Sequence, residues 1–127
     1  MSAAAAPIRA APVILVVEDD HDSRVMLRSV LEDAGYVVQS AANGRVALEL
    51  LASSETKPQL VIVDLNMPVM DGWQLMSHLR QHAELALIPV GIQSADEDST
   101  LPDGVSFVLH KPIDVAALLA IVKHHCG

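Results

Sequence analysis

Polar side chains that could do chemistry follow four short apolar runs of this sequence. They are three consecutive acids, a further aspartate, one hydroxyl and one amine: Glu18, Asp19, Asp20, Asp64, Ser94 and Lys111. Carboxylates that lie together repel, since a like-charge pair about 4 Å apart costs ~4 kcal/mol at an effective dielectric of about 20, and a bound cation offsets that cost. Oxygen ligands without a cluster of His or Cys favour a hard ion such as Mg²⁺, which takes phosphate oxygens as further ligands. The residue types therefore predict a magnesium site that handles a phosphoryl group.

Asp64 is the candidate nucleophile of this site. An aspartate can form an aspartyl phosphate, and neutralisation by a metal ion lets its carboxylate approach an anionic phosphoryl donor. Lys111 supplies a mobile cation for a phosphoryl oxygen, and Ser94 supplies a hydroxyl donor. These three residues are the candidates for the chemical step.

The scaffold must bring the ends of several strands together. The run VILVV at Val13–Val17 is typical of a strand buried on both faces of a parallel sheet. Such runs alternate with amphipathic segments, and we expect strands at residues 13–17, 36–41, 60–63, 88–93 and 105–109. This alternation predicts a doubly wound α/β fold with a five-stranded parallel sheet, of the flavodoxin-like type. Ligands of such sheets bind outside the carboxyl ends of the strands, where the polar residues fall.

Helices are expected between these strands. The first is capped by Asp20 or Asp22 and runs to Ala34, others cover residues 45–52 and 73–82, and Asp114 caps the last. In the first helix we expect four residues to face the core: Val25, Met26, Val30 and Leu31. Residues 95–104 are acidic, contain a proline and are about as short as a parallel crossover can be. We therefore expect the fourth crossover helix to be shortened or absent.

Composition limits the class of protein. A chain of 127 residues with 51% hydrophobic and 2% aromatic residues fits one globular domain, which we place at residues 12–127 after a disordered tail at 1–11. The net charge of -8 disfavours direct binding to nucleic acid. No run reaches the roughly 20 apolar residues of a membrane span. The single cysteine, Cys126, fits a reducing compartment, so we expect a cytoplasmic protein.

Four motifs resemble the receiver domain of response regulators in two-component signalling. They are VVEDD, DLNMPVMDG, QSA and HKP, spread from about Val13 to Val122. The resemblance implies that Asp64 takes a phosphoryl group from a phosphohistidine of a sensor histidine kinase or histidine phosphotransfer protein. It implies that Mg²⁺ is held by Asp19 and Asp64, with Glu18 acting through water and Asn66 through its backbone carbonyl. Ser94 and Lys111 match the family's switch hydroxyl and bridging lysine, and Pro112 matches the proline of a cis Lys-Pro bond.

The resemblance also implies how the protein acts. We expect a stand-alone receiver, not an enzyme, that is a monomer or weak dimer and signals by contact with an unknown downstream protein. Receivers usually carry an aromatic switch residue three positions before the lysine, but that position is Val108 here, and Phe107 comes one residue early. With the short fourth crossover, this departure leaves an alternative, a receiver-fold binding module that acts without phosphorylation. An aspartyl-nucleophile phosphatase is disfavoured because Asn66 stands where its second acid would be.

Overall fold

The computed structural model describes residues 11–53, 57–65, 72–94 and 104–126. Its centre is a sheet of five parallel strands in the order β2-β1-β3-β4-β5. The strands are β1 (Val13–Val17), β2 (Val37–Ala41), β3 (Leu60–Asp64), β4 (Val90–Ser94) and β5 (Phe107–His110). The helices are α1 (His21–Asp33), α2 (Gly44–Ser53), α3 (Gly72–Arg80), α4 (Ala83–Ala86) and α5 (Val115–Cys126). The predicted flavodoxin-like α/β fold is confirmed. The expected 1–11 tail and 95–104 crossover fall almost wholly outside the described residues.

Both faces of the sheet are buried, which explains the continuous apolar strands. Alternate residues of β1 enter different cores: Leu15 and Val17 pack with α2 and α3, whereas Ile14 and Val16 pack with α1 and α5. We call these sides the α2/α3 face and the α1/α5 face. A strand covered on both sides cannot show polar alternation, so the run VILVV follows directly from its central position.

The core-facing side of α1 differs from the prediction. Leu27 and Leu31 are fully buried, Val30 packs beside them, and Val25 and Met26 are 51% and 37% exposed. An α-helix turns about 100° per residue, so Leu27, Val30 and Leu31 form one stripe and Val25 lies on the other side. The prediction was therefore wrong for Val25 and Met26. It assigned apolar residues to the core without establishing which side of the helix faces the sheet.

Helix boundaries are explained by caps. Asp20, rather than Asp22, caps α1, since its Oδ2 accepts a hydrogen bond from Ser23 N at 2.9 Å. Asp114 caps α5 as predicted, and its Oδ1 accepts from Ala116 N at 2.9 Å. The helix predicted at 73–82 is present as α3, which ends two residues earlier, at Arg80. The short helix α4 was not predicted and begins after His82, which is extended, with φ -114° and ψ 119°. Along the described residues, no helix is long and apolar enough to cross a membrane.

Candidate functional site

Three of the predicted site residues leave their strands on the same face of the sheet. Glu18, Asp64 and Lys111 each stand two positions after a strand residue that packs on the α1/α5 face, namely Val16, Ile62 and Leu109. The backbone continues strand pairing at this edge: Glu18 N donates to Ala41 O at 3.0 Å, and Lys111 N donates to Ser94 O at 2.9 Å. The alternation of the strands therefore brings these side chains together.

The converging groups are in direct contact. Lys111 Nζ donates a hydrogen bond to Asp64 Oδ2 at 3.0 Å and lies 3.4 Å from Glu18 Oε1. Glu18 is fully buried and Asp64 is 6% exposed, whereas Asp19 is exposed. One carboxylate oxygen from each of Glu18, Asp19 and Asp64 lies within 4.8 Å of the others. We call these three residues the acid cluster.

Asp20, the fourth acid expected near this edge, serves a different purpose. Its carboxylate accepts the hydrogen bond from Ser23 N that begins α1, and this bond lowers the pKa of Asp20. The acid cluster does not include it. Three consecutive acids in the sequence thus supply two members of the cluster and one helix cap.

Burial governs the electrostatics of the acid cluster. The pKa of Glu18 is raised from 4.5 to about 7, first by burial, then by its hydrogen bond to Asp64 and the like charge of Asp64. For Lys111, partial burial lowers the pKa, but the hydrogen bond to Asp64 and the charges of Asp64 and Glu18 outweigh this effect and raise it. Lys111 thus pairs with two of the three acids of the cluster, Glu18 and Asp64.

A divalent cation fits this arrangement. Among the described residues, Glu18 Oε1 is a buried acceptor that forms an ion pair with Lys111 at 3.4 Å but accepts no hydrogen bond. All ligand atoms that the acid cluster offers are carboxylate oxygens, the donors that Mg²⁺ prefers. The excess of negative charge and the buried Glu18 oxygen, which accepts no hydrogen bond among the described residues, therefore suit a hard divalent ion. Asn66, the remaining predicted metal ligand, lies outside the described residues.

Arg24 supports the acid cluster and was not predicted. Its Nη1 donates to the backbone carbonyl of Glu18 at 2.8 Å and approaches that of Asp19 at 3.4 Å. A cation in the first turn of a helix is poorly placed for the helix dipole. The unfavourable position of this cation near the helix N-terminus is the one sequence signal that could have indicated a role for Arg24. Its carbonyl partners are seen only in the structure.

Comparison with known proteins identifies the family. The pattern of the response regulator receiver domain matches residues 14–123. The chain belongs to this family. Receiver domains are signalling modules of two-component systems rather than classical enzymes, and they bind Mg²⁺ at an acidic pocket. This receiver domain has its acid cluster at the carboxyl ends of its strands.

Similar proteins include both short and long chains. An uncharacterized 14.6 kDa protein of Leptolyngbya boryana is 36% identical, and the match covers 89% of this chain and 88% of that protein. The sensor histidine kinase TmoS of Ectopseudomonas mendocina is 38% identical over 89% of this chain but only 12% of its own length. The crystal structure of a putative response regulator from Chloroflexus aurantiacus has a TM-score of 0.84 at 30% identity, covering 92% of this chain and 98% of that one.

Other predicted features of the receiver motifs are placed by the structure. Ser94 ends β4, is 2% exposed, and follows Ile92 by two positions on the α2/α3 face. The peptide bond between Lys111 and Pro112 is cis, as the resemblance implied. Ser94 and Lys111 therefore reach the strand ends from opposite faces of the sheet.

Phe107 lies on the face opposite to Val108. Its ring packs on the α1/α5 face over Gly91, where an added Cβ would overlap the ring atoms, and the ring centroid is 5.2 Å from that of His125. Val108 pairs with Ile92 of β4, whose side chain lies on the α2/α3 face. Phe107 therefore does not occupy the side of β5 from which the family's aromatic residue would act.

A separate cavity lies between α2 and the α3–α4 region. It has a volume of about 520 Å³, and His78 and His82 line it together with Leu48, Leu51 and Lys57. His78 and His82 do not lie on successive turns of one helix, because α3 contains His78 and ends at Arg80, before His82. Neither belongs to the acid cluster.

Proposed function

We propose that Asp64 accepts a phosphoryl group and that this receiver domain acts as a phosphorylation switch. The observation that carries the proposal is the position of the Asp64 carboxylate, which accepts a hydrogen bond from Lys111 at 3.0 Å beside the buried Glu18. Membership of the receiver family supports the same assignment. Glu18, Asp19 and Asp64 would hold Mg²⁺, together with the backbone carbonyl of Asn66.

The transfer is a displacement at phosphorus. A carboxylate oxygen of Asp64 attacks the phosphorus of a phosphohistidine, an O–P bond forms, and the P–N bond breaks. The imidazole leaves with the electron pair of that bond and takes up a proton. Mg²⁺, when bound, offsets the negative charges of the acids and of the phosphoryl oxygens.

The side chains around Asp64 divide the remaining work. Lys111 positions the Asp64 carboxylate before transfer, and its ammonium group is close enough to pair with a phosphoryl oxygen afterwards. Ser94 contributes a hydroxyl at the end of the neighbouring strand. Because Lys111 and Ser94 come from opposite faces of the sheet, a phosphoryl group between them is held from both sides.

A direct test is the mass of the intact protein after incubation with Mg²⁺ and a small acyl phosphate. We expect one added phosphoryl group in the wild type, and none in Asp64→Asn or when Mg²⁺ is removed by a chelator. Asp22→Asn is the matched control, because Asp22 is an exposed acid in the first turn of α1 and is absent from the acid cluster. Equal labelling of the wild type and Asp64→Asn would refute the assignment.

We further propose that the donor is a sensor histidine kinase or a histidine phosphotransfer protein, and that it docks against α1. Val25 and Met26 are exposed apolar side chains of this helix, and Asp20 at its N-terminus adjoins the acid cluster. A donor seated there reaches Asp64 without crossing the sheet. Signal output then follows from contact with a downstream protein.

A further inference from the structure

Gln93 is a buried polar side chain that the proposed transfer does not use. It is 1% exposed and directly precedes Ser94, the last residue of β4. Its Nε2 has no hydrogen-bond partner among the described residues. Buried amide donors are almost always paired, because an unpaired donor has lost its hydrogen bonds to water without replacement. An unpaired amide at this place therefore calls for a functional explanation.

The strand pattern fixes the side of the sheet on which Gln93 lies. Gly91, two positions earlier, faces the ring of Phe107 in the α1/α5 core, and the intervening Ile92 packs in the α2/α3 core. Gln93 therefore lies on the α1/α5 face. This is the face from which Glu18, Asp64 and Lys111 converge.

The register places Gln93 beside Asp64. The two residues are Cα partners in the pairing of β3 with β4, and adjacent strands are about 4.8 Å apart. Leu65 N donates to Gln93 O at 3.0 Å, which fixes this pairing at the end of the strands. The amide group is thus within one side-chain length of the Asp64 carboxylate.

Glu18 lies on the same face but does not pair with Gln93. Among the described residues, Glu18 Oε1 forms an ion pair with Lys111 at 3.4 Å and accepts no hydrogen bond, and Gln93 Nε2 is a buried donor without a hydrogen-bond partner. Their strands, β1 and β4, flank β3, which carries Asp64 between them. Gln93 Nε2 is therefore a hydrogen-bond donor close to Asp64 that no described residue accepts.

We propose that Gln93 is a positioning residue of the phosphoryl-accepting site, whose Nε2 donates to the carboxyl group of Asp64 and orients it when a phosphoryl group is bound. The inference rests on the proposed function of Asp64 and deepens it. An amide suits this place because phosphorylation adds negative charge, which a neutral donor stabilises without repelling Lys111 or the metal ion. An apolar residue of the same size would fill the space and supply no donor.

The test compares Gln93→Met with Gln39→Met. Methionine has nearly the length of glutamine and removes only the amide, and Gln39 is a half-buried glutamine of β2 whose partner Leu15 packs on the α2/α3 face. Calorimetry measures the affinity of each protein for Mg²⁺ and, with Mg²⁺ present, for beryllium fluoride, a tetrahedral mimic of a phosphoryl group on a carboxylate. Thermal unfolding is measured in parallel, and the side-chain amide resonances of Gln93 are followed by NMR in the wild type.

We expect Gln93→Met to bind beryllium fluoride about tenfold more weakly, which equals about 1.4 kcal/mol. Its affinity for Mg²⁺ should stay within about twofold of the wild type, and its melting temperature should be unchanged or higher, because an unpaired buried donor has been removed. Gln39→Met should match the wild type in all three measurements. The Gln93 amide resonances of the wild type should shift when beryllium fluoride binds.

Equal affinity of Gln93→Met and the wild type for beryllium fluoride would overturn the inference and leave the proposed function intact. A loss of beryllium fluoride affinity accompanied by an equal loss of Mg²⁺ affinity and a lower melting temperature would also overturn it, since that pattern marks a purely structural role. Failure of the wild type itself to bind beryllium fluoride or to be phosphorylated would overturn the proposed function, and this inference with it.

Discussion

Lys111 and Asp64 are joined by a hydrogen bond of 3.0 Å although 47 positions separate them in the sequence. The bond connects the end of β3 with the residue after β5, across β4. Lys111 is also 3.4 Å from Glu18 on β1's extension, so one ammonium group balances acids from two strands. Lys111 therefore contributes to the charge balance of both carboxylates, and Mg²⁺ is the expected further source of positive charge.

Lys111→Met should destabilise the metal-free protein. Asp64 and Glu18 would keep their buried carboxylates and lose the neighbouring cation, and a hydrogen bond to a charged group is typically worth about 1.5–3 kcal/mol. Added Mg²⁺ should restore most of the loss. Urea unfolding at pH 8 with and without Mg²⁺ measures both effects, with Lys123→Met on the exposed side of α5 as control. A variant as stable as the wild type without Mg²⁺ would contradict the charge balance described above.

Affinity for Mg²⁺ should rise with pH between about 6 and 8. The pKa of Glu18 is about 7 in the metal-free protein, so a proton competes with the ion below that pH, by up to about tenfold per pH unit. The pH dependence of folding stability in the metal-free state has the opposite sign: the contribution of Glu18 falls as pH rises. Because the pKa of Glu18 in the folded protein lies above its ordinary value of 4.5, the contribution of Glu18 to stability is complete below pH 4.5 and is lost as pH rises through about 7.

Titration with Mg²⁺ at several pH values tests this expectation. Glu18→Gln should bind Mg²⁺ more weakly and with a flatter pH dependence, because the group that exchanges its proton has been removed. An unchanged pH dependence in Glu18→Gln would assign the effect to another group.

Gly91→Ala should destabilise the fold, because the added Cβ would overlap the Phe107 ring. Overpacking of this kind typically costs about 1–3 kcal/mol. Phe107→Leu replaces the ring by a smaller side chain. It should lower the free energy of unfolding less in the Gly91→Ala variant than in the wild type. A double-mutant cycle by chemical denaturation measures this coupling, and additive effects of the two changes would show that the contact does not limit packing.

Val25→Glu should slow phosphorylation by a protein donor and leave phosphorylation by a small acyl phosphate unchanged. Val25 is 51% exposed on α1, so a charge there disturbs a docking partner without entering the core. The matched control is Leu87→Glu, since Leu87 is 85% exposed just before β4, at the edge opposite the strand ends. Equal slowing of both reactions would point to damage at Asp64 instead of a lost docking contact.

The sequence allowed much of the architecture to be predicted, because the signals involved are local. Buried runs such as VILVV mark strands covered on both faces, and the position of Asp64 after such a run follows from counting. The residue types at the ends of the strands also indicated the chemistry. The receiver motifs then named the family correctly.

The features that could not be predicted from the sequence depend on the directions in which helices and side chains point in the folded protein. The phase of α1, which buries Leu27 and exposes Val25, is not specified by apolar type alone. The short helix α4 was missed because the extended residue before it, His82, is neither a proline nor a glycine and so gives no sequence signal of a new helix. Arg24 and Gln93 were not predicted as site residues. Arg24 donates to a backbone carbonyl and the side-chain Nε2 of Gln93 has no hydrogen-bond partner among the described residues, and no spacing of residue types in the sequence indicates either feature.

The alternation of side chains across the strands has a mechanical consequence at their ends. Lys111 emerges above the layer formed by α1 and α5, whereas Ser94 emerges above the layer formed by α2 and α3. These two layers cover opposite faces of one sheet, and β1 and β3 contribute residues to both cores. A phosphoryl group bound between Lys111 and Ser94 would therefore connect side chains from both layers, so that attaching or removing it would alter contacts on both faces of the sheet.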